Sequence, residues 1–197
     1  MNIEFTTETS LSAEATLDGQ ELFVRSYGKI IDSSEAGEQI VGELRVVMLD
    51  VWRAAEEGID LWDAADAADG DMEALVSTFF EDGELRASVL HGLHFASNHN
   101  LLYIDRVEIN EEYRGNGLAL AAIDRAIQIL GEGCGYAAIK PLPLQFVGKV
   151  SKSDPKAVKG ATTKLRKHYR RMGFRNLGRS NFMAMNLDTR RPNMLLS

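Results

Sequence analysis

The chain has 197 residues, of which 45% are hydrophobic and 26% charged, and its formal net charge is −7. This length and composition predict one soluble globular domain with a sizeable core. No run of 18 uncharged apolar residues is present, which argues against a transmembrane helix. The acidic N-terminus lacks the apolar stretch of an export signal, so we expect a cytoplasmic protein without a membrane partner.

Charge is unevenly distributed along the chain. Acidic side chains dominate residues 50–84, whereas basic side chains dominate residues 149–175, in which Asp154 is the only acid. Such asymmetry most often reflects solvated faces. The functional alternative is that the basic segment attracts an anion. Nucleic acid is not expected as a partner, because the pI is near 5.2 and no nucleic-acid motif is present.

The first predicted elements are two strands that follow a polar tail at residues 1–20. The strands cover residues 21–31 and 40–51, and the loop at 32–37 predicts an antiparallel hairpin with an extended connection. Helices are predicted next at residues 52–68 and 72–80. They are separated by the sequence Asp-Gly-Asp.

Two tryptophans and three histidines in this part of the chain raise questions of function. Trp52 and Trp62 are ten residues apart, a spacing near a helical repeat. This spacing favours a buried core or a dimer face over a pocket, so a homodimer remains possible in this interpretation. Residues 84–100 fit either a strand or a helix and contain His91, His94 and His99. Their spacing matches no zinc pattern, so we expect packing or surface roles and no metal.

The second half of the chain has a clearer pattern. Residues 101–109 are strand formers, and a glycine-spaced turn leads into a helix that runs to about Leu130. A glycine-rich exit at 131–135 then precedes a strand at 136–140, which a crossover helix would place parallel to the first strand. Cys134 lies in this exit and is interpreted as a small packing residue, not a nucleophile.

The remaining segments are predicted from prolines, lysines and apolar periodicity. Pro141 and Pro143 are interpreted either as a simple rigid exit from the strand or as a rigid wall beside the acceptor site, and the two interpretations are equally good. A lysine-rich mobile loop is expected at 150–160 and a basic helix at 161–172. A C-cap at Gly173, strands at 174–177 and 182–187, and a tail from residue 188 complete the prediction.

The turn at Arg114-Gly115-Asn116-Gly117-Leu118-Ala119 predicts an anion site. A helix begins with backbone N–H groups that have no intrahelical partner, and its dipole adds positive charge at the same end. Glycines let the backbone approach a ligand closely, so we expect the backbone of these six residues to contribute more than the Arg114 side chain. The spacing matches neither the dinucleotide fingerprint nor a P-loop, and leaves the form [RQ]-x-x-G-x-[GA].

That form resembles the acetyl-CoA signature of the GCN5-related N-acetyltransferase (GNAT) superfamily, with Arg114, Gly117 and Ala119 at its fixed positions. The later sequence from His168 to Phe174, HYRRMGF, is similar to the family's Y-x-x-x-G-F element. The resemblance covers residues 101–186. It implies an α/β (α+β) fold with a mixed, mostly antiparallel sheet, a parallel splayed strand pair and flanking helices. Residues 1–197 would form one such domain, with a core at 101–187 and an atypical helical segment at 52–100.

The resemblance also implies a cofactor and site residues. Acetyl-CoA would be the acyl donor, with its pantetheine amides on the backbone of Val107, Glu108 and Ile109. Tyr169 matches the tyrosine that often protonates the departing sulfur. For the base we consider Asp105 or Glu108, which strand alternation puts on opposite faces, so that at most one points at the acceptor. Asp105 would share a face with Tyr103 and Val107 and ranks ahead; a water chain can replace both.

The leading interpretation is an acetyl-CoA-dependent N-acyltransferase that transfers an acetyl group directly to a primary amine. The acceptor is a small amine, a peptide N-terminus or a lysine. One alternative is a non-catalytic acyl-CoA-binding interaction module. Another is an acetyltransferase toxin acting on aminoacyl-tRNA, for which the basic segment at 149–175 is the only support.

Overall fold

The computed structural model describes residues 2–8, 22–34, 37–144 and 154–189. Within these ranges the chain forms a seven-stranded sheet in the order β1-β2-β3-β6-β7-β9-β8 and a separate β4–β5 hairpin. The strands are β1 (Asn2–Glu8), β2 (Phe23–Ser34), β3 (Gly37–Leu49), β4 (Phe80–Glu81), β5 (Glu84–Leu85), β6 (Leu101–Ile109), β7 (Tyr136–Ile139), β8 (Arg175–Asn176) and β9 (Met183–Asn186). The helices are α1 (Val51–Glu57), α2 (Leu61–Ala68), α3 (Gly70–Phe79), α4 (Ala87–Leu93), α5 (Leu118–Leu130) and α6 (Pro155–Arg171).

The sheet is mostly antiparallel, and its β6–β7 pair is parallel. This confirms the predicted fold class and the crossover through α5. Helices cover both faces. Leu101 and Tyr103 of β6 pack in the cluster with α1 to α4, whereas Leu102 and Ile104 pack in the cluster with α5 and α6. All four residues of β7 are buried, because a strand that is covered by helices on both sides has no face toward solvent.

Aspartates cap four of the helices. The carboxylates of Asp50, Asp60, Asp69 and Asp154 accept hydrogen bonds from backbone N–H groups at the starts of α1, α2, α3 and α6. Each cap is worth about 1 kcal/mol. Helix α5 differs, because its N-cap residue is Gly117 and no side chain caps it.

Several predictions for the first half of the chain are wrong in detail. Residues 2–8 are not a tail but an edge strand along β2, while residues 9–21 lie outside the described ranges. The hairpin is confirmed, although its strands continue to Ser34 opposite Gly37, so the loop is shorter than predicted. The helix predicted at 52–68 is two helices. Gly58 takes a left-handed conformation (φ 67°) that ends α1, and Asp60 then starts α2.

Other corrections concern the tryptophans and α6. Trp52 is 64% exposed and Trp62 49% exposed, so the predicted core role is wrong. The ambiguous segment 84–100 contains β5 and α4. Helix α6 begins at Pro155, inside the predicted mobile loop, because Asp154 caps it and proline suits the first helical position. Residues 145–153 and 190–197 lie outside the described ranges. Among the described residues, no helix is long and apolar enough to cross a membrane.

Candidate active site

The glycine-spaced turn lies between the end of β6 and the start of α5. Gly115 and Gly117 have φ values of 90° and 76°, which side chains other than glycine's rarely adopt. A Cβ placed on either glycine would meet no atom within 4 Å, so open space lies in front of the turn. The helix behind it has no side-chain cap. Its first backbone N–H groups are therefore available to a ligand.

Side chains tie this turn to the sheet. The Nε of Arg114 donates to the carbonyl of Ile109 at 2.8 Å, and the hydroxyl of Tyr113 donates to Oε1 of Gln39 at 3.0 Å. Asn110 donates to the carbonyl of Ile40 at 3.2 Å. The side chain of Arg114 thus holds the end of β6, which agrees with an anion site formed mainly by backbone groups.

Strands β6 and β7 diverge beside the turn. They pair over only four positions, from Leu101 opposite Tyr136 to Ile104 opposite Ile139. Strand β7 then ends, and Lys140 and Pro141 follow, while β6 continues five residues further. Over that length β6 pairs with β3 alone among the described strands, so its other edge has free backbone groups. Val107, Glu108 and Ile109, the residues predicted to bind pantetheine, lie on this open part.

A β-bulge lies where the two strands diverge. In the ladder between β3 and β6, Arg45 lies opposite Arg106. The next residue of β3, Val46, lies opposite Ile104, so Asp105 is an extra residue in β6. A bulge of this kind shifts the in–out alternation of the strand by one residue.

The bulge corrects the predicted faces. Val107 packs with Leu44 in the α5/α6 cluster and does not share a face with Tyr103. Glu108 is opposite Glu43 and falls on the α1–α4 side. Asp105 and Glu108 are therefore on the same side of the sheet, contrary to the prediction from strict alternation.

The two candidate bases have different surroundings. The Asp105 side chain is 11% exposed and accepts a hydrogen bond from Nε of Arg45. This hydrogen bond raises the pKa of Arg45 and keeps the guanidinium charged. Glu108 is exposed at the open edge of β6. Asp105 is thus the more buried carboxylate and is held by an ion pair, whereas Glu108 is the more accessible one.

Tyr169 lies on the other side of the sheet, in α6. It is 8% exposed and packs with Ile104, Ile139 and Phe174. Burial raises the pKa of its hydroxyl to about 12, so the group is protonated at neutral pH. A protonated hydroxyl beside the diverging strands can act as an acid. Tyr169 thus belongs to the same buried cluster as Ile104 and Ile139, the last paired residues of β6 and β7, on the sheet face opposite Asp105.

The sequence of this region also matches a family model. Residues 35–142, more than half of the chain, match the model of the acetyltransferase (GNAT) family. The chain belongs to that family. It is an N-acetyltransferase whose acyl donor is acetyl-CoA, as the motifs predicted. A comparison with curated proteins gave no match.

The solved structures that match this chain do so with low sequence identity and low TM-scores. They include a KacTA–DNA complex (11% identity, 94% of each chain covered, TM-score 0.45). AtaT complexed with acetyl-methionyl-tRNAfMet has 12% identity, covers 94% of this chain and 96% of its own, and has a TM-score of 0.40. NAA60 of Arabidopsis thaliana with a bisubstrate analogue has 13% identity, coverage of 83% and 73%, and a TM-score of 0.36. At this level of similarity, the substrates of these proteins say nothing about the substrate of this chain.

The residues present fit acetyl-CoA. A pyrophosphate needs N–H donors and room for close approach, and the uncapped start of α5 behind Gly115 and Gly117 provides both. The pantetheine amides need free strand-type backbone groups, which β6 has after Ile104. Helix α6 also carries six exposed basic side chains; they are Lys156, Lys159, Lys164, Lys167, Arg170 and Arg171.

Sequence reasoning missed three groups near this gap. Lys140, which follows β7, donates to Oδ1 of Asp71 in α3 at 2.6 Å. The Tyr103 hydroxyl is buried and has no hydrogen-bond partner among the described residues. No signal in the sequence links Lys140 with Asp71, 69 positions away, and the Tyr103 ring alone satisfies the predicted strand pattern.

Two other predicted features lie elsewhere. Trp62 lines a cleft of about 610 Å³ between α1, α3 and the β4–β5 hairpin, none of whose lining residues belongs to the turn or to β6 and β7. Cys134 is buried, and burial raises the pKa of its thiol to about 12. Within the described ranges, no group of three His, Cys, Asp or Glu side chains is arranged to hold a metal ion.

Proposed function

We propose that this acetyltransferase binds the pyrophosphate of acetyl-CoA at the 114–119 turn and transfers the acetyl group directly to an amine at the gap between β6 and β7. The uncapped α5 N-terminus behind two open glycines is the observation that carries the proposal. When bound, acetyl-CoA supplies an activated acetyl thioester. All other chemistry is assigned to side chains of this protein.

Each candidate catalytic group has one role. Asp105, held by Arg45, accepts a proton from the acceptor ammonium, since only a neutral amine is a nucleophile. Tyr169 donates a proton to the departing sulfur, a role that suits a hydroxyl kept protonated by burial. The backbone of Val107, Glu108 and Ile109 orients the pantetheine arm. Direct transfer needs no cysteine nucleophile, and the single cysteine, Cys134, is buried.

Calorimetry with acetyl-CoA tests the binding site. Gly117→Glu puts bulk and negative charge in the open space, and we expect binding to fall at least about 100-fold from Coulomb repulsion and steric exclusion. Gly133→Glu is the matched control, because Gly133 has a similar φ (81°) and equally open surroundings at the other end of α5. Equal binding by both variants would mean that the turn does not hold the donor.

Kinetics test the roles of the side chains. Tyr169→Phe should lower kcat by about 10²-fold or more while the Kd of acetyl-CoA stays unchanged. Asp105→Asn and Glu108→Gln are measured in parallel, and the variant that loses the acid limb of the pH profile identifies the base. If all three variants retain wild-type kcat, the assignment of acid and base is wrong and solvent moves both protons.

Transfer to aminoacyl-tRNA is a second candidate function. The observation that favours it is the exposed basic surface of α6, a 17-residue helix. Replacing Lys159, Lys164 and Lys167 by glutamine should abolish tRNA binding if tRNA is the acceptor, because phosphate contacts dominate such binding. Unchanged tRNA binding, or none by the wild type, excludes this candidate.

A further inference from the structure

The hydroxyl of Tyr103 is the least satisfied buried group of the described residues. Tyr103 is 1% exposed, and its hydroxyl has no hydrogen-bond partner there. Leaving a buried hydroxyl unpaired costs about 1–3 kcal/mol, and phenylalanine would fill the same space without that cost. We therefore expect a bound ligand to form a hydrogen bond with this hydroxyl during the reaction.

The position of Tyr103 indicates which ligand that is. It lies on the α1–α4 face of β6, opposite Ala138 of β7 and two residues before the bulged Asp105. Its ring contacts Phe182 edge-on at 5.9 Å, and the Lys140 ammonium lies 5.9 Å from the centre of the Phe182 ring. A continuous set of contacts thus joins Tyr103 to the Lys140–Asp71 ion pair. This set lies on the sheet face opposite Tyr169.

Ion pairs lie on this part of the face. Three ion pairs occur: Asp71 with Lys140 at 2.6 Å, Asp69 with Arg25 at 3.7 Å, and Asp105 with Arg45. Burial raises the pKa of Tyr103, the charges of Asp105, Asp71 and Asp69 raise it further, and the charge of Arg45 lowers it.

The ion pair between Lys140 and Asp71 favours one class of ligand. A simple ammonium that took Lys140's place on Asp71 would leave the lysine without its partner. A ligand that carries an ammonium and an anion close together can place the ammonium on Asp71 and the anion on Lys140. Every charge then still has a partner. The side-chain exposures of 26% for Lys140 and 44% for Asp71 leave both accessible to such an exchange.

We propose that the face around Tyr103 is the acceptor site and takes an amino-acid-like zwitterion, with its ammonium on Asp71, its carboxylate on Lys140 and a hydrogen bond to the Tyr103 hydroxyl. This inference rests on the proposed function. Asp105 accepts one ammonium proton before attack and later releases it to solvent, and a second ammonium proton passes to solvent as the amide forms. The new nitrogen–carbon bond replaces the carbon–sulfur bond. Tyr169 protonates the sulfur and is reprotonated by solvent, so one proton is released overall.

The first test compares two sets of acceptors with acetyl-CoA and the full chain. One is an equimolar mixture of the twenty common amino acids, and the other is a mixture of their carboxamides, which keep the amine and lack the anion. We expect free amino acids to be acetylated at least about tenfold faster than the amides, as judged by thiol release and mass spectrometry. Equal or faster reaction of the amides overturns the proposal.

Variants separate ligand binding from structure. Tyr103→Phe should raise the KM of the acceptor at least about tenfold and leave acetyl-CoA binding and thermal stability unchanged or better, since it removes an unpaired buried group. Lys140→Met should abolish the preference for free amino acids over amides. Glu57→Gln breaks a similar ion pair with Arg53 in α1 and serves as the control with unchanged kinetics. Wild-type KM in Tyr103→Phe would also overturn the proposal.

The outcomes also separate this inference from the proposed function. If acetyl-CoA does not bind the wild type, both fail. If it binds and no free amino acid is acetylated, the acceptor site is wrong, whereas the donor site stands.

Discussion

The two ends of helix α5 look alike in sequence and differ in structure. Each is rich in glycine, with Gly115 and Gly117 before the helix and Gly131, Gly133 and Gly135 after it. At the first end a Cβ would meet nothing within 4 Å. At the second, a Cβ on Gly135 would lie 1.6 Å from the carbonyl oxygen of Asn98. Glycine thus leaves room for a ligand at Gly115 and Gly117, and for the protein's own backbone at Gly135.

The same contrast holds for polar groups. The start of α5 has no side-chain cap, whereas the segment after it is tied down by the Gly135 N–H on the Asn100 carbonyl at 3.0 Å and by the Leu187 N–H on the Gly135 carbonyl at 2.8 Å. An end whose hydrogen bonds are satisfied internally adds stability. An end that leaves them open is suited to binding, as stability and function draw on the same groups.

The largest expected effect is at the closed end. Gly135→Ala forces a backbone carbonyl to move, and we expect it to lower the free energy of unfolding by at least about 3 kcal/mol. Urea denaturation of the purified variant measures this loss. Gly133→Ala, two residues away and open to solvent, is the control. A loss below 1 kcal/mol in Gly135→Ala would show that the loop at Asn98 yields easily and that this end is not closed.

The sequence predicts secondary structure well where an apolar pattern repeats along an element. It fails where a single residue changes the geometry of the strand. Strand β6 and helix α5 were predicted with nearly the observed bounds, because their apolar periods are long. The bulge at Asp105 adds one residue without any change in composition, so the faces of Val107 and Glu108 were predicted wrongly. The Lys140–Asp71 pair depends on tertiary packing, which no local pattern encodes.

A second prediction concerns Cys134 at the closed end. Burial raises the pKa of its thiol from 9.0 to about 12, so the folded state keeps its proton while the unfolded state loses it. Its contribution to stability is complete below pH 9 and is lost as the pH rises toward 12. Between pH 9 and 10 the wild type should lose up to about 1.4 kcal/mol more than Cys134→Ala. Parallel pH profiles of urea midpoints would show instead that the thiol is accessible.

A third, smaller effect compares the open glycines at the two ends. Gly117→Ala and Gly133→Ala each put a Cβ on a residue with positive φ, and each should cost about 1 kcal/mol of stability from backbone strain. The thermal midpoints of the two variants should therefore agree. Acetyl-CoA affinity should fall only in Gly117→Ala, where the methyl group enters the donor's space. A matched loss of affinity in both variants would point to a general effect of strain.

The smallest effect is also the one that best separates binding from stability. Asn116→Asp places a negative charge near the uncapped start of α5, where the helix dipole favours it, so stability should rise by about 0.3–1 kcal/mol. The same charge repels a pyrophosphate, and the Kd of acetyl-CoA should increase several-fold, less so at high salt. Glu132→Gln removes a negative charge just beyond the other end and should also stabilise the helix slightly, with no change in Kd. An Asn116→Asp variant that is more stable and binds as tightly as the wild type would place the pyrophosphate away from α5, since a bound anion and an added carboxylate cannot both gain from the same dipole without repelling each other.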